Sequence, residues 1–225
     1  DVVLLHACCH NPTGFDLSHD DWRRVLDIVR GRDLLPLIDF AYQGFGDGLE
    51  QDAWSTRLFA AELPEVLITS SCSKNFGLYR DRTGALIVCA KTADKLVDVR
   101  SQLANIARNL WSTPPDHGAA VVATILGDPE LKSLWADEVE AMRLRIAQLR
   151  SGLVEALEPH GLRERFAHIG VQRGMFSYTG LTPEQVKNLR DHHSVYMVGT
   201  GRANVAGIDA TRLDLLAEAI AEVCK

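Results

Sequence analysis

Between Val66 and Tyr79 the only formally charged side chain is Lys74, in a stretch that leaves the apolar run Val66-Leu67-Ile68 and reads as largely buried. An ammonium taken out of water without a partner is costly unless it gives up its proton. Desolvation therefore favours the neutral amine, the form that adds to an aldehyde to give a Schiff base. Ser70, Ser71 and Ser73 supply hydroxyls beside it, and Arg82, on the far side of Gly77, can grip two oxygens of an anion at once.

A nucleophilic amine beside an anion-binding set suits a ligand that carries an aldehyde and a phosphate on one ring, which points to pyridoxal 5'-phosphate. The competing reading is a surface lysine that buries its stem and keeps its charge in water. Other groups at usable spacing weigh against it. Asp39 follows the apolar run Leu34 to Ile38, and a carboxylate there can pair with a protonated pyridine nitrogen, keeping the ring able to accept electrons. Taken alone it could equally be a helix cap or a magnesium ligand. Tyr42 can bring its phenol to the ring hydroxyl. His6, Cys8 and His10 share one strand face, but their spacing fits no usual zinc pattern and no metal site is expected.

The run Ser71-Cys72-Ser73-Lys74-Asn75-Phe76-Gly77-Leu78-Tyr79-Arg80-Asp81-Arg82-Thr83-Gly84 resembles the lysine signature of class I pyridoxal-phosphate aminotransferases, most closely their aspartate and aromatic amino-acid branch. Thr83 departs from it, standing where the family usually has an aliphatic residue. The likeness continues through His10-Asn11-Pro12-Thr13-Gly14, Asp39-Phe40-Ala41-Tyr42-Gln43-Gly44-Phe45 and Gly201-Arg202-Ala203-Asn204-Val205-Ala206-Gly207, in the family's order. It implies fold type I. It also implies that Asn11, Asp39, Tyr42, Ser71, Ser73, Lys74 and Arg82 hold the cofactor, with Lys74, Asp39 and Tyr42 taking part in the chemistry. Arg202 would clamp the substrate α-carboxylate together with Asn11. Arg108 would reach a neighbour's site to bind the distal carboxylate of dicarboxylic substrates, which requires a homodimer with shared sites. Trp111, where the family commonly has tyrosine nearby, leaves the fit of aromatic substrates open. The expected reaction moves an amino group between an L-amino acid, aspartate or aromatic, and a 2-oxo acid such as 2-oxoglutarate, by a ping-pong route. A lyase or synthase on the same scaffold, or the ligand-sensing half of a transcription regulator, remains an alternative.

These groups need elements to carry them. Val2 to Leu5 reads as a strand, Ser18 with Asp21 as a capping signal, and Trp22, Val25, Leu26 and Val29 as one face of a helix before Gly31. With the strand from Leu34 to Ile38, this is the strand-helix-strand unit of parallel sheets, whose ligands bind beyond the carboxyl ends of the strands. A modest helix from Ala53 to Leu63, strands from Val66 to Thr69 and from Ala85 to Cys89, and a helix marked by Leu96, Val99, Leu103 and Ile106 follow. Asp128-Pro129 starts a long helix with an apolar stripe to Leu157. Beyond it the pattern predicts a strand over Ile169 to Tyr178 interrupted at Gly174, a helix capped by Thr182, a short strand over Val195 to Val198, Arg202 in the loop after it, and a final helix through Leu213, Leu216, Ile220 and Val223. The predicted architecture is α/β. Residues 1–128 form the C-terminal part of a large, mostly parallel-sheet domain, and residues 129–225 a linking helix and a small α+β domain.

The 225 residues carry a formal charge of −6, which argues against nucleic acid as a general partner, and no apolar run approaches a membrane span. Amino acids and 2-oxo acids are the expected partners. Five cysteines without framework spacing point to free thiols in a reducing, cytoplasmic setting. The opening Asp1-Val2-Val3-Leu4-Leu5, with no initiator Met and no polar lead-in, suggests the C-terminal portion of a longer polypeptide, whose missing part would hold a phosphate loop and an aromatic residue against the ring. The isolated 225 residues are then expected to bind cofactor weakly.

Overall fold

The computed structural model describes residues 1–225. The chain runs β1 (Val2–His6), α1 (His19–Gly31), β2 (Leu35–Phe40), α2 (Trp54–Glu62), β3 (Val66–Ser71), β4 (Gly84–Cys89), α3 (Ala93–Trp111), α4 (His117–Gly127), α5 (Pro129–Leu157), α6 (Arg163–Val171), β5 (Phe176–Tyr178), α7 (Pro183–His193), β6 (Arg202–Asn204) and α8 (Leu213–Val223). Two compact units result. One comprises Asp1–Ala7, Leu17–Gly44 and Leu49–Val139, the other Cys8–Asp16, Phe45–Gly48 and Glu140–Lys225.

In the first unit the sheet order is β1-β2-β3-β4, with β1, β2 and β3 parallel and β4 antiparallel to β3. α1 begins as the sequence predicts. The Ser18 hydroxyl accepts from the Asp21 amide at 3.2 Å, and the Asp21 carboxylate accepts from the Ser18 amide at 3.2 Å, so two otherwise orphaned N–H groups are satisfied. The apolar face of α1 buries Trp22, Leu26 and Val29, and Trp22 meets Phe59 of α2 edge-on, with ring centroids 5.4 Å apart. Ile38, Phe59 and Val66 are fully enclosed there. Of the apolar face predicted for α3, Leu96 and Ile106 are exposed and Val99 and Leu103 half-buried, and Leu86 and Ile87 of β4 are exposed as well. No helix is long and apolar enough to cross a membrane.

The core of the second unit is built from Leu153, Leu157, Phe166, Ile169, Val186, Leu189 and Ile220. α7 starts with a reciprocal cap between Thr182 and Gln185, and the Gln185 amide also donates to the Val223 carbonyl at 2.9 Å, fastening α7 to the end of α8.

Four expectations need correction. The span from Ile169 to Tyr178 is not one strand: α6 continues to Val171, and only Phe176–Tyr178 is extended and paired. Phe166 and Ile169 lie one helical turn apart and both are buried, so packing overrides the β-branched composition. Val195 to Val198 finds no strand partner. The partner of β5 is β6, with Tyr178 opposite Arg202, so Arg202 stands on a strand and not in a loop. The lysine stretch is less enclosed than predicted, since Lys74 is half-buried and Tyr79 is 49% exposed. α4 was not foreseen, because its run Ala119-Ala120-Val121-Val122-Ala123 carries no amphipathic period.

Candidate functional site

The candidate residues fall into two groups, one in each unit. In the first unit the parallel strands end on the same side, and β2 presents Asp39 as its penultimate residue. The Asp39 main-chain oxygen accepts from the Ala7 amide at 2.9 Å, and its carboxylate Oδ1 accepts from the Ala41 amide at 3.0 Å. The chain then turns, burying Tyr42.

β3 and β4 form a hairpin that closes on the pair Ser71 and Gly84, and residues 72–83 between them carry Lys74 and Arg82. A side chain at Gly84 would lie 2.5 Å from the Ser70 carbonyl oxygen, so this closing pair requires glycine. Within the loop the Cys72 amide donates to the Thr83 carbonyl, the Leu78 amide to the Cys72 carbonyl and the Gly77 amide to the Lys74 carbonyl, at 3.0–3.2 Å. The Ser71 hydroxyl is 3.0 Å from that of Ser73 and accepts from the Ser73 amide at 3.2 Å. Arg82 has a left-handed backbone, φ 53°, and its guanidinium donates to the Tyr79 carbonyl at 3.0 Å.

Lys74 Nζ lies 4.5 Å from the centre of the Tyr42 ring. Burial holds the Lys74 ammonium below its usual pKa of 10.5, the Asp39 carboxylate pushes it back up, and the Arg82 guanidinium pushes it down again. Lys74, Tyr42, Asp39 and Arg82 thus form one cluster. Arg108 does not join it; it is exposed in the last turn of α3, at the negative end of the helix dipole.

Three supports for the loop escaped the sequence reading. Trp135 of α5 stacks on Phe76, centroids 4.5 Å apart, and its indole N–H donates to the Asn75 carbonyl at 2.7 Å. The Asn75 amide reaches the Gln43 carbonyl at 3.3 Å, while its Oδ1 is buried with no hydrogen-bond partner. At the other end Gly118 of α4 packs directly on Thr83 and Asp81. A part-buried indole still needs an acceptor, the one hint in the sequence that Trp135 does more than fill the helix stripe.

The second unit holds Asn11 and Arg202. Asn11 lies in a turn that begins a cis Asn11-Pro12 bond. Asp16 fixes this turn, its carboxylate accepting from the Cys9 amide at 2.8 Å and the His10 amide at 2.9 Å. The Arg202 guanidinium carbon sits 4.5 Å over the Phe176 ring on the adjacent strand.

The donor set of the first unit, an amine with a depressed pKa, a carboxylate, a guanidinium and two serine hydroxyls, is chemically what an aldehyde, a pyridine nitrogen and a phosphate require. The residues present fit that group.

The aminotransferase class I and II family model matches residues 1–220. The chain is 80% identical over its whole length to an aromatic-amino-acid aminotransferase of Pseudomonas aeruginosa, of which it covers 56%, and 46% identical over 99% of its length to an aspartate aminotransferase of the same organism, again covering 56%. The solved aromatic-amino-acid aminotransferase of Burkholderia pseudomallei, covalently bound to pyridoxal phosphate, superimposes with a TM-score of 0.96 at 48% identity, over 100% of this chain and 56% of that one. The chain therefore spans about half the length of the relatives it matches.

Proposed function

Because the chain belongs to the class I and II aminotransferase family, with the type I fold of its pyridoxal-phosphate enzymes, we propose that it carries the lysine-bearing part of an enzyme that moves an amino group from an L-amino acid to a 2-oxo acid in two half-reactions. The observation that carries this reading is the cluster of Lys74, Tyr42, Asp39 and Arg82, with the lysine pKa held down by burial.

In this reading Lys74, Asp39, Tyr42, Ser71, Ser73, Arg82 and Asn11 hold pyridoxal 5'-phosphate. When bound, the cofactor supplies an aldehyde for an amine to condense with and a ring that accepts an electron pair from the substrate Cα. Lys74 Nζ, neutral more often than an exposed lysine, takes the substrate α-proton and later returns a proton to carbon. The Asp39 carboxylate, oriented by the Ala41 amide, keeps a negative charge where a protonated ring nitrogen needs one. Arg82 and the hydroxyls of Ser71 and Ser73 neutralise and orient the phosphate. Arg202 grips the α-carboxylate in a two-point geometry that lysine cannot copy, and Asn11 adds a donor.

Aromatic amino acids are the proposed first substrates, with 2-oxoglutarate or oxaloacetate as acceptor; the 80% identity to an aromatic-amino-acid aminotransferase supports this. The proposal includes a homodimer in which Arg108 serves the partner's site. Its support is that Arg108 lies exposed beside the open apolar residues Ile106, Leu110 and Trp111. Residues 1–128 belong, in this reading, to the large cofactor domain and 129–225 to the linking helix and small domain. Five cysteines without framework spacing favour a cytoplasmic setting.

The test is Lys74→Ala in the full-length protein. Transamination should fall by at least about 10²–10⁴-fold, the usual contribution of a positioned acid–base group, and the cofactor's covalent absorbance band should vanish. Normal turnover with the band intact would refute the assignment.

A further inference from the structure

Arg150, in the C-terminal half of α5, is 2% exposed and yet has no carboxylate in hydrogen-bond contact. Its guanidinium is instead spread over one short segment. Nε donates to the Gly174 carbonyl at 3.2 Å. Nη1 donates to the Ile169 carbonyl at 3.0 Å and the Ser177 hydroxyl at 2.6 Å. Nη2 donates to the Gly174 and Phe176 carbonyls at 2.6 and 2.8 Å, with a longer approach to that of Arg173 at 3.3 Å. Ser177 passes the chain on to the buried Gln172 side chain at 2.6 Å.

The reason is local. α6 stops at Val171 and β5 starts only at Phe176, so the carbonyls of Ile169, Arg173 and Gly174 fall outside any regular ladder, while that of Met175 accepts from the Val205 amide at 2.8 Å. A buried carbonyl left unpaired is costly. One planar fork with donors on three nitrogens satisfies several at once, which neither lysine nor an apolar residue can do. The cost falls on the arginine: burial lowers its pKa to about 10, and Cys9 and Asp16 offset part of the loss.

The segment so fixed touches both substrate-side groups of this unit. Phe176 lies under the Arg202 guanidinium, and β5 pairs with β6 at Tyr178 and Arg202. On the other side the Arg173 amide donates to the Gly14 carbonyl at 2.9 Å, in the Asn11 turn. Two glycines let the pieces meet: a Cβ on Gly14 would be 2.8 Å from the Phe176 carbonyl oxygen, and one on Gly174 would be 2.4 Å from the Cys9 Cβ.

We propose that Arg150 is a positioning residue for substrate-carboxylate binding: through the 169–177 segment it sets both Arg202 and the Asn11 turn, without touching the substrate itself. This rests on the reading of Arg202 as the carboxylate clamp.

The experiment uses the full-length, cofactor-loaded protein with Arg150→Met, Arg150→Lys, Ser177→Ala and the control Arg202→Lys. The readouts are KM for the amino acid and the oxo acid, kcat per bound cofactor, and Kd for 3-phenylpropionate, a carboxylate that cannot react. Arg150→Met should raise both KM values and Kd by about tenfold or more while kcat per loaded site changes by less than about threefold, the pattern of lost binding common to ground and transition states. Arg150→Lys and Ser177→Ala should raise the same constants by smaller factors, and they carry the test if Arg150→Met does not fold. Methylguanidinium added to an Arg150→Ala protein should bring Kd back down. A fall in Tm with KM and Kd unchanged in the Arg150 and Ser177 variants, while Arg202→Lys weakens binding, would overturn the positioning role alone. Unchanged binding in Arg202→Lys would overturn the clamp reading beneath it.

Discussion

Gly118→Ala should destabilise this protein, although the exchange of glycine for alanine in a helix ordinarily does the reverse. Gly118 lies in the first turn of α4 with no left-handed backbone. Helix propensity alone predicts a gain of up to about 1 kcal/mol. The added Cβ, however, would sit 1.9 Å from the Thr83 Oγ1, 2.8 Å from the Asp81 Cβ and 3.2 Å from the Thr83 Cβ. Ordinary contact begins near 3.5 Å, so the Thr83 hydroxyl must move by about 1.6 Å. That hydroxyl can rotate away, but the Asp81 Cβ is tied to the backbone and α4 must shift with it. Overpacking of this kind costs about 1–3 kcal/mol, leaving a net loss of about 1 kcal/mol. In thermal unfolding of the full-length protein, whose relatives are nearly twice as long as this chain, this is a drop of about 1–2 °C. Arg82 stands between the two residues that must move, so affinity for pyridoxal phosphate should fall as well. Thr83→Ala removes the closest contact, and in its background Gly118→Ala should do measurably less harm, a coupling of at least about 0.5 kcal/mol. A higher Tm for Gly118→Ala, additive with Thr83→Ala, would show that the approach of α4 to this loop has no energetic weight.

The proton affinity of Lys74 should move in opposite directions in two charge variants. Arg82→Gln removes an influence that lowers it, so Lys74 titrates at higher pH and less neutral amine is present at a given pH; Asp39→Asn removes the opposing influence and shifts the titration down. The rate at which cofactor-free full-length protein reacts with a small aldehyde, followed against pH, checks both signs, and equal shifts would refute the electrostatic account. Since the folded value lies below the unfolded 10.5, the folded chain binds fewer protons between the two, and stability from this group rises with pH across that window. Phe176→Leu removes the ring beneath Arg202, worth about 0.5–1 kcal/mol, and should raise KM for carboxylate substrates about 2–5-fold; a KM equal to that of the unaltered protein would mean the stacking does not hold the guanidinium in place.

Much of the first unit can be read in the sequence because its signals are local. The Ser18 and Asp21 cap, the aliphatic runs of β1 to β3 and the hydrophobic stripe of α1 each specify one structure within a few residues. The lysine motif is contiguous, and Lys74 and Arg82 share one loop for that reason alone. What failed was non-local. Val195 to Val198 has better strand composition than Arg202-Ala203-Asn204, yet a strand exists only where a partner accepts it, and β5 pairs with the latter. Arg150 lies among apolar helix positions as one more polar residue, and nothing near it in sequence shows that orphaned carbonyls some twenty residues downstream would need it. The sequence marks Phe176 only as a strand residue and sets Gly118 apart in no way; their importance comes from what faces them across the fold.

The antiparallel arrangement of β3 and β4 gives residues 72–83 the character of a cassette. Both entrances are zipped at the Ser71 and Gly84 pair, so a change of length inside the connection need not propagate as a slip of the flanking ladders. The Lys74 amine and the Arg82 guanidinium travel together as a single insert, so under the function proposed above a nucleophile and an anion grip share one short piece of chain.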